Sequence, residues 1–121
     1  MKSEKSVLEK KTKCALKLLK CHLSSESDGD EIYLKHENKK IWPDVRYKVF
    51  KSRDEIKLNV DLDLKDNKGP VIIELWEKDL FKDDFLGTFQ FVPFGSIGEF
   101  MVDLKKRNMS DVQRYSLIWK T

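Results

Sequence analysis

The chain has 121 residues, 24 basic and 21 acidic side chains, and a formal net charge of +3. That length predicts one domain, large enough to bury about two thirds of its unfolded surface. Charged residues reach 37% and apolar residues 40%, which excludes disorder of the whole chain. No stretch approaches the ~18–20 apolar residues of a membrane span.

The charge is unevenly spread. Residues 1–23 hold seven Lys and two Glu, a net of +5, whereas the remainder is slightly acidic at −2. The expected division is a basic, flexible segment over 1–11 and a folded domain over 12–121. Lys far outnumbers Arg, the residue that reads bases and phosphates bidentately, so nucleic acid is not an expected partner. The charged N-terminus is followed by no apolar run of signal-peptide length, and two free cysteines suit a reducing compartment. An intracellular location is expected.

In chain order, the first candidate element is Thr12–Leu23. Leu8, Ala15, Leu18 and His22 fit a helix, whereas Cys14-Leu16-Leu18 followed by Leu19-Cys21-Leu23 fits a strand whose phase flips at a β-bulge. Seven apart on a regular strand, Cys14 and Cys21 would face opposite sides, which argues against a local disulfide. Ser24–Asp30 is the most loop-like stretch. Ile32–His36 and Val45–Phe50 follow as short strands.

Ile56, Leu58, Val60, Leu62 and Leu64 then alternate with polar residues, the mark of a half-buried strand. The turn signal Asp66-Asn67-Lys68-Gly69-Pro70 leads to the β-branched run Val71–Trp76, and a hairpin joining these two strands is expected. Leu86–Val92, Phe100–Leu104 and Tyr115–Trp119 complete about eight strands. Their number and spacing predict an all-β, antiparallel β-sandwich.

Two acidic clusters fall where this reading puts loops. Glu26, Asp28, Asp30 and Glu31 surround Gly29; Glu77, Asp79, Asp83 and Asp84 form the other. Carboxylates at such intervals can converge on Ca²⁺, which takes six to eight oxygens. The alternative is that they are simply solvated.

The run ELWEKDLFKDDFLG, residues 74–87, resembles the third calcium loop of C2 domains, V-x-D-x-D-x-x-x-x-D-D-F-I-G. Ser27-Asp28-Gly29-Asp30-Glu31-Ile32-Tyr33-Leu34-Lys35 is similar to the first-loop pattern S-D-P-Y-V-K-V. The D-E-[IV]-Y element further resembles small bacterial-type C2-like chains. The resemblance implies an eight-stranded C2-like sandwich. It also implies a calcium site in which Glu77 and Asp79 take the places of the two loop-three aspartates. Asp84 precedes the Phe-Leu-Gly element, and Asp30 or Glu31 stands for the loop-one aspartate with Asp28 beside it. Leu80 and Phe81 would form a membrane-contacting tip. Three departures reduce the implied calcium affinity to weak: Glu77 replaces Asp, the Asp79–Asp84 spacing is one residue short, and the proline is missing.

For catalysis the inventory is thin. His22 and His36 sit in no nucleophile or metal motif, and no phosphate loop occurs. Two classes of function are carried forward. The first is a non-enzymatic protein-interaction or structural subunit of a larger assembly; the second is a calcium-dependent phospholipid adapter. The Ile56–Leu64 strand lacks the basic patch that phosphoinositides would need.

Overall fold

The computed structural model describes residues 13–65 and 68–121; the basic segment over 1–11, Thr12, and Asp66-Asn67 of the expected turn lie outside the described residues. Ten strands and no helix are present among the described residues. In order they are β1 (Lys13–Leu23), β2 (Asp30–His36), β3 (Lys39–Trp42), β4 (Lys48–Phe50), β5 (Glu55–Asp63), β6 (Val71–Glu77), β7 (Asp84–Phe91), β8 (Glu99–Asp103), β9 (Lys105–Lys106) and β10 (Arg114–Lys120).

They form two antiparallel sheets. One has the order β5-β1-β10-β8; the other has the order β3-β2-β6-β7-β9, with β4 also on β2. The surplus over eight strands has a simple origin. β3 and β4 lie on the same edge of β2, with Leu34 opposite Trp42 and Ile32 opposite Lys48. They are one edge strand interrupted at Pro43, which offers no amide to a ladder. β8 and β9 are one segment that leaves β10 at Leu104 and joins β7.

Thr12–Leu23 resolves as a strand from Lys13 onward. A register shift between Leu16 and Leu18 interrupts its pairing with both β10 and β5. Cys14 and Leu16 before the bulge, and Leu19 and Cys21 after it, are all buried. The extra residue therefore corrects the odd-spacing expectation for the thiols: both face the core, and burial pushes each up to about 11. They are free and poorly reactive.

The hairpin expected between Ile56–Leu64 and Val71–Trp76 does not form. β5 pairs with β1 and β6 pairs with β2 and β7, so the intervening link crosses from one sheet to the other. Alternation in β5 placed its apolar face correctly but carries no information on which neighbour it takes.

The core lies between the sheets and is rich in aromatics. Trp119 stacks between Phe91 at 4.5 Å and Phe100 at 4.7 Å. Phe50 meets Tyr115 edge-on at 5.9 Å and Trp42 at 6.0 Å, so Trp42 packs against the core as a Trp beside Pro often does. Each such ring pair adds about 0.5–1.5 kcal/mol beyond its area burial. This packing fixes the two sheets end to end. The β1–β2, β3–β4 and β6–β7 loops consequently share one end of the sandwich.

Candidate functional site

The shared loop end encloses a cleft of about 450 Å³. It is lined by Glu26, Asp28, Gly29, Glu31, Arg46, Tyr47, Val49, Glu77, Lys78, Asp79, Leu80 and Asp84. Of the residues expected at a metal site, Asp28, Glu31, Glu77, Asp79 and Asp84 thus come together, with Leu80 on the rim. Asp30 is not on the cleft wall but lies buried directly beside Glu77.

The position of Asp30 follows from strand phase. In β2 the inward residues are Asp30, Ile32 and Leu34, and Asp30 is completely buried. A buried carboxylate needs donors, and it has them. Ser25 N donates to both oxygens at 2.9 and 3.0 Å, Glu26 N donates to Oδ1 at 3.2 Å, and the Tyr115 hydroxyl donates to Oδ2 at 2.7 Å. Asp30 is the anchor that folds the β1–β2 loop back onto β10. Glu31, one residue on, points the other way and lines the cleft.

Glu77 continues the inward phase of Val71, Ile73 and Leu75 and ends half-buried beside Asp30. Burial, then the charges of Asp30 and Glu26, a hydrogen bond to Asp30 and the charge of Asp84 push its carboxyl up to about 8.

The β6–β7 loop has a different hub. Asp83 accepts from the Tyr33 hydroxyl at 2.5 Å and from Asp79 N at 3.1 Å, and its Oδ1 lies 3.5 Å from Lys78 Nζ. The Tyr33 bond first, with the Asp79 amide and Lys78 assisting, holds the Asp83 carboxyl below its usual range against some desolvation. Asp79 Oδ1 accepts from Leu80 N at 2.6 Å. Leu80 and Phe81, 92% and 98% exposed, project from the loop's tip.

Beneath this loop, the outer face of the second sheet carries a ring stack that the sequence reading missed. Tyr33 lies 6.3 Å from Trp76, which tilts against Phe85 at 5.4 Å, and Lys35 Nζ sits 4.8 Å from the Trp76 ring. Alternation would have found it, since Tyr33 and Lys35 share the outward phase of β2. Arg46 and Tyr47 were missed for another reason. They were read as part of a strand, but the edge strand is interrupted from Pro43 to Tyr47, and Arg46 and Tyr47 line the cleft instead.

Elsewhere, Ser, His and Asp side chains meet, but with the hydroxyl in the middle. His22 Nε2 lies 2.8 Å from Ser116 Oγ, which donates to Asp103 Oδ1 at 2.6 Å. A nucleophile needs its proton taken by the histidine. Here the proton points at the carboxylate and the serine is buried, so the trio ties β1, β10 and β8 together.

The sequence matches no protein-family model and no curated protein. Sixteen chains of solved structure match the fold. One, described as "Structure of a C2 domain", superposes with a TM-score of 0.55 at 14% identity, over 89% of this chain and 96% of that one. The fold is that of a C2 domain.

C2-like sandwiches often bind calcium at this end, so the donor set has to be tested for fit. Asp30 accepts from donors inside the fold, Glu77 is half-buried beside it, and Asp83 is committed to Tyr33 and Lys78. Two cationic side chains, Arg46 and Lys78, line the same cleft. Among the described residues no group of three or more His, Cys, Asp or Glu side chains is placed to hold a metal ion. The residues as arranged do not fit a preformed calcium cage.

Proposed function

We propose that this C2-like chain is a non-enzymatic binding module that engages a protein partner, as an interaction or structural subunit of a larger assembly. Calcium binding is at most weak. The observation that carries this reading is the burial of Asp30 under three donors, which withdraws one loop-one carboxylate from the cleft and leaves the loop anchored without an ion. What the loop end still offers is an acidic cleft bordered by Leu80 and Phe81. Such a surface suits a partner segment that carries Lys or Arg next to an apolar side chain. Free buried thiols suit an intracellular setting. Among the described residues, no helix is long and apolar enough to cross a membrane.

A second reading is a calcium-dependent phospholipid adapter. It is favoured by the near-complete exposure of Leu80 and Phe81, the form a membrane-entering tip takes. Calorimetric titration with CaCl₂, repeated on the Asp79→Asn/Asp84→Asn variant, and co-sedimentation with phosphatidylserine vesicles separate the two. Weak or absent calcium heats and no vesicle binding are expected. Calcium-dependent sedimentation lost in the double variant would establish the lipid reading instead.

A further inference from the structure

The β6–β7 loop gathers Glu77, Asp79, Asp83 and Asp84 within eight positions, and so many carboxylates repel one another unless positive charge and donors are supplied. In a metal-gated loop the ion supplies them. We infer that here the chain supplies them itself: Asp83 is the hub and Lys78 the counter-ion of a built-in lock that displays Leu80 and Phe81 without a divalent cation. This inference concerns the loop of the preceding reading and rests on it only for the role of the tip.

The lock reaches into three elements. From β2, the Tyr33 hydroxyl closes on Asp83 Oδ2 at 2.5 Å, and the Tyr33 ring is itself held against Trp76 of β6. From within the loop, Asp79 N and Lys78 Nζ both address Asp83 Oδ1. Lys78 N then donates to Glu31 O at 2.8 Å, extending the β2–β6 ladder one step beyond the strand end. Residues 78 and 83, the two feet of the loop, are therefore tied to each other and to the sheet. The tip residues take no part in the lock and are free to be covered by a partner.

The lock fixes how the site is regulated. A loop already closed by its own side chains gains nothing from calcium, so exposure of the tip is constitutive.

Amide hydrogen exchange on the full chain, in EDTA and in excess CaCl₂, tests this. Amides of 78–83 should exchange at the same rate in both conditions. Asp83→Ala, which removes the acceptor, should speed exchange at Asp79 at least about tenfold, the low end of the worth of one hydrogen bond to a charged group, and Tyr33→Phe should speed it by less. Amides of β1 and β10 serve as the control for global folding and should not change. Calcium-induced protection of 78–83 in the wild type overturns the lock, as do variants whose loop amides exchange at the wild-type rate. A loop that passes these tests yet binds no partner refutes the function reading alone.

Discussion

Tyr115 on β10 and Asp30 at the start of β2 are 85 positions apart in the chain, yet the hydroxyl of one donates to the carboxylate of the other at 2.7 Å inside the core. The bond closes the loop end of the sandwich, because Asp30 also collects the amides of Ser25 and Glu26. Tyr115→Phe deletes only the hydroxyl and leaves a buried charge one donor short. The expected cost is about 1.5–3 kcal/mol, the range for hydrogen bonds to ionised groups. Urea unfolding of the two proteins measures it; equal midpoints would show that Asp30 does not depend on this donor.

Glu77 makes stability depend on pH. Its carboxyl is pushed up to about 8 in the fold from an ordinary value of 4.5, first by burial and then by neighbouring carboxylates. A raised acid binds its proton more tightly when folded, so its contribution is complete below pH 4.5 and is lost as pH rises towards 8. The slope should be well under the one-proton limit of about 1.4 kcal/mol per pH unit, since water reaches half the side chain and screens it. Glu77→Gln should flatten the profile across this window relative to the wild type. Urea midpoints at several pH values between 5 and 8 provide the comparison, and parallel profiles would contradict it.

Much of this arrangement is legible in the residues, and what is not has identifiable causes. Alternation located the buried face of β5, and the expected phase flip in β1 indicated a bulge, which falls between Leu16 and Leu18 rather than between Leu18 and Leu19. The segment 74–87 pointed to the loop end where the acidic cleft lies. Phase also holds information that motif matching passes over. Asp30 is in step with Ile32 and Leu34, and Glu77 is in step with Ile73 and Leu75, so both carboxylates are drawn inward. Motif spacing placed Asp30 among the ligands because a pattern has no inside or outside. The short strands β3 and β9, the sheet-to-sheet link after β5 and the arrival of Arg46 at the cleft depend on pairings between distant segments. No local window contains them.

The tip should separate binding from folding. Phe81 is 98% exposed and takes no part in the bonds that close its loop. Phe81→Asp should therefore shift the urea midpoint by no more than about 0.5 kcal/mol of stability, as surface changes usually do. The same substitution puts a charge where an apolar contact is expected, next to an already acidic cleft. Proteins retained from the native source by the immobilised wild type should be lost from the variant. Retention of the same proteins by both would move the interface away from Phe81.

Gly87 explains why the Phe-Leu-Gly element needs its glycine. The residue sits at φ +149°, and a Cβ there would lie 2.2 Å from the carbonyl oxygen of Lys105 and 3.0 Å from its carbonyl carbon. Those are backbone atoms of the strand that crosses from β8 to pair with β7, so no rotamer change relieves the overlap. Gly87→Ala must push β9 off the sheet edge or move β7, at a cost of about 3 kcal/mol by analogy with overpacked cores. The damage should be local at first. Thermal unfolding should show the lowered stability, and exchange of the Lys106 and Arg107 amides should rise more than exchange in β1. A variant as stable as the wild type would show that β9 closes on β7 less tightly than this geometry requires.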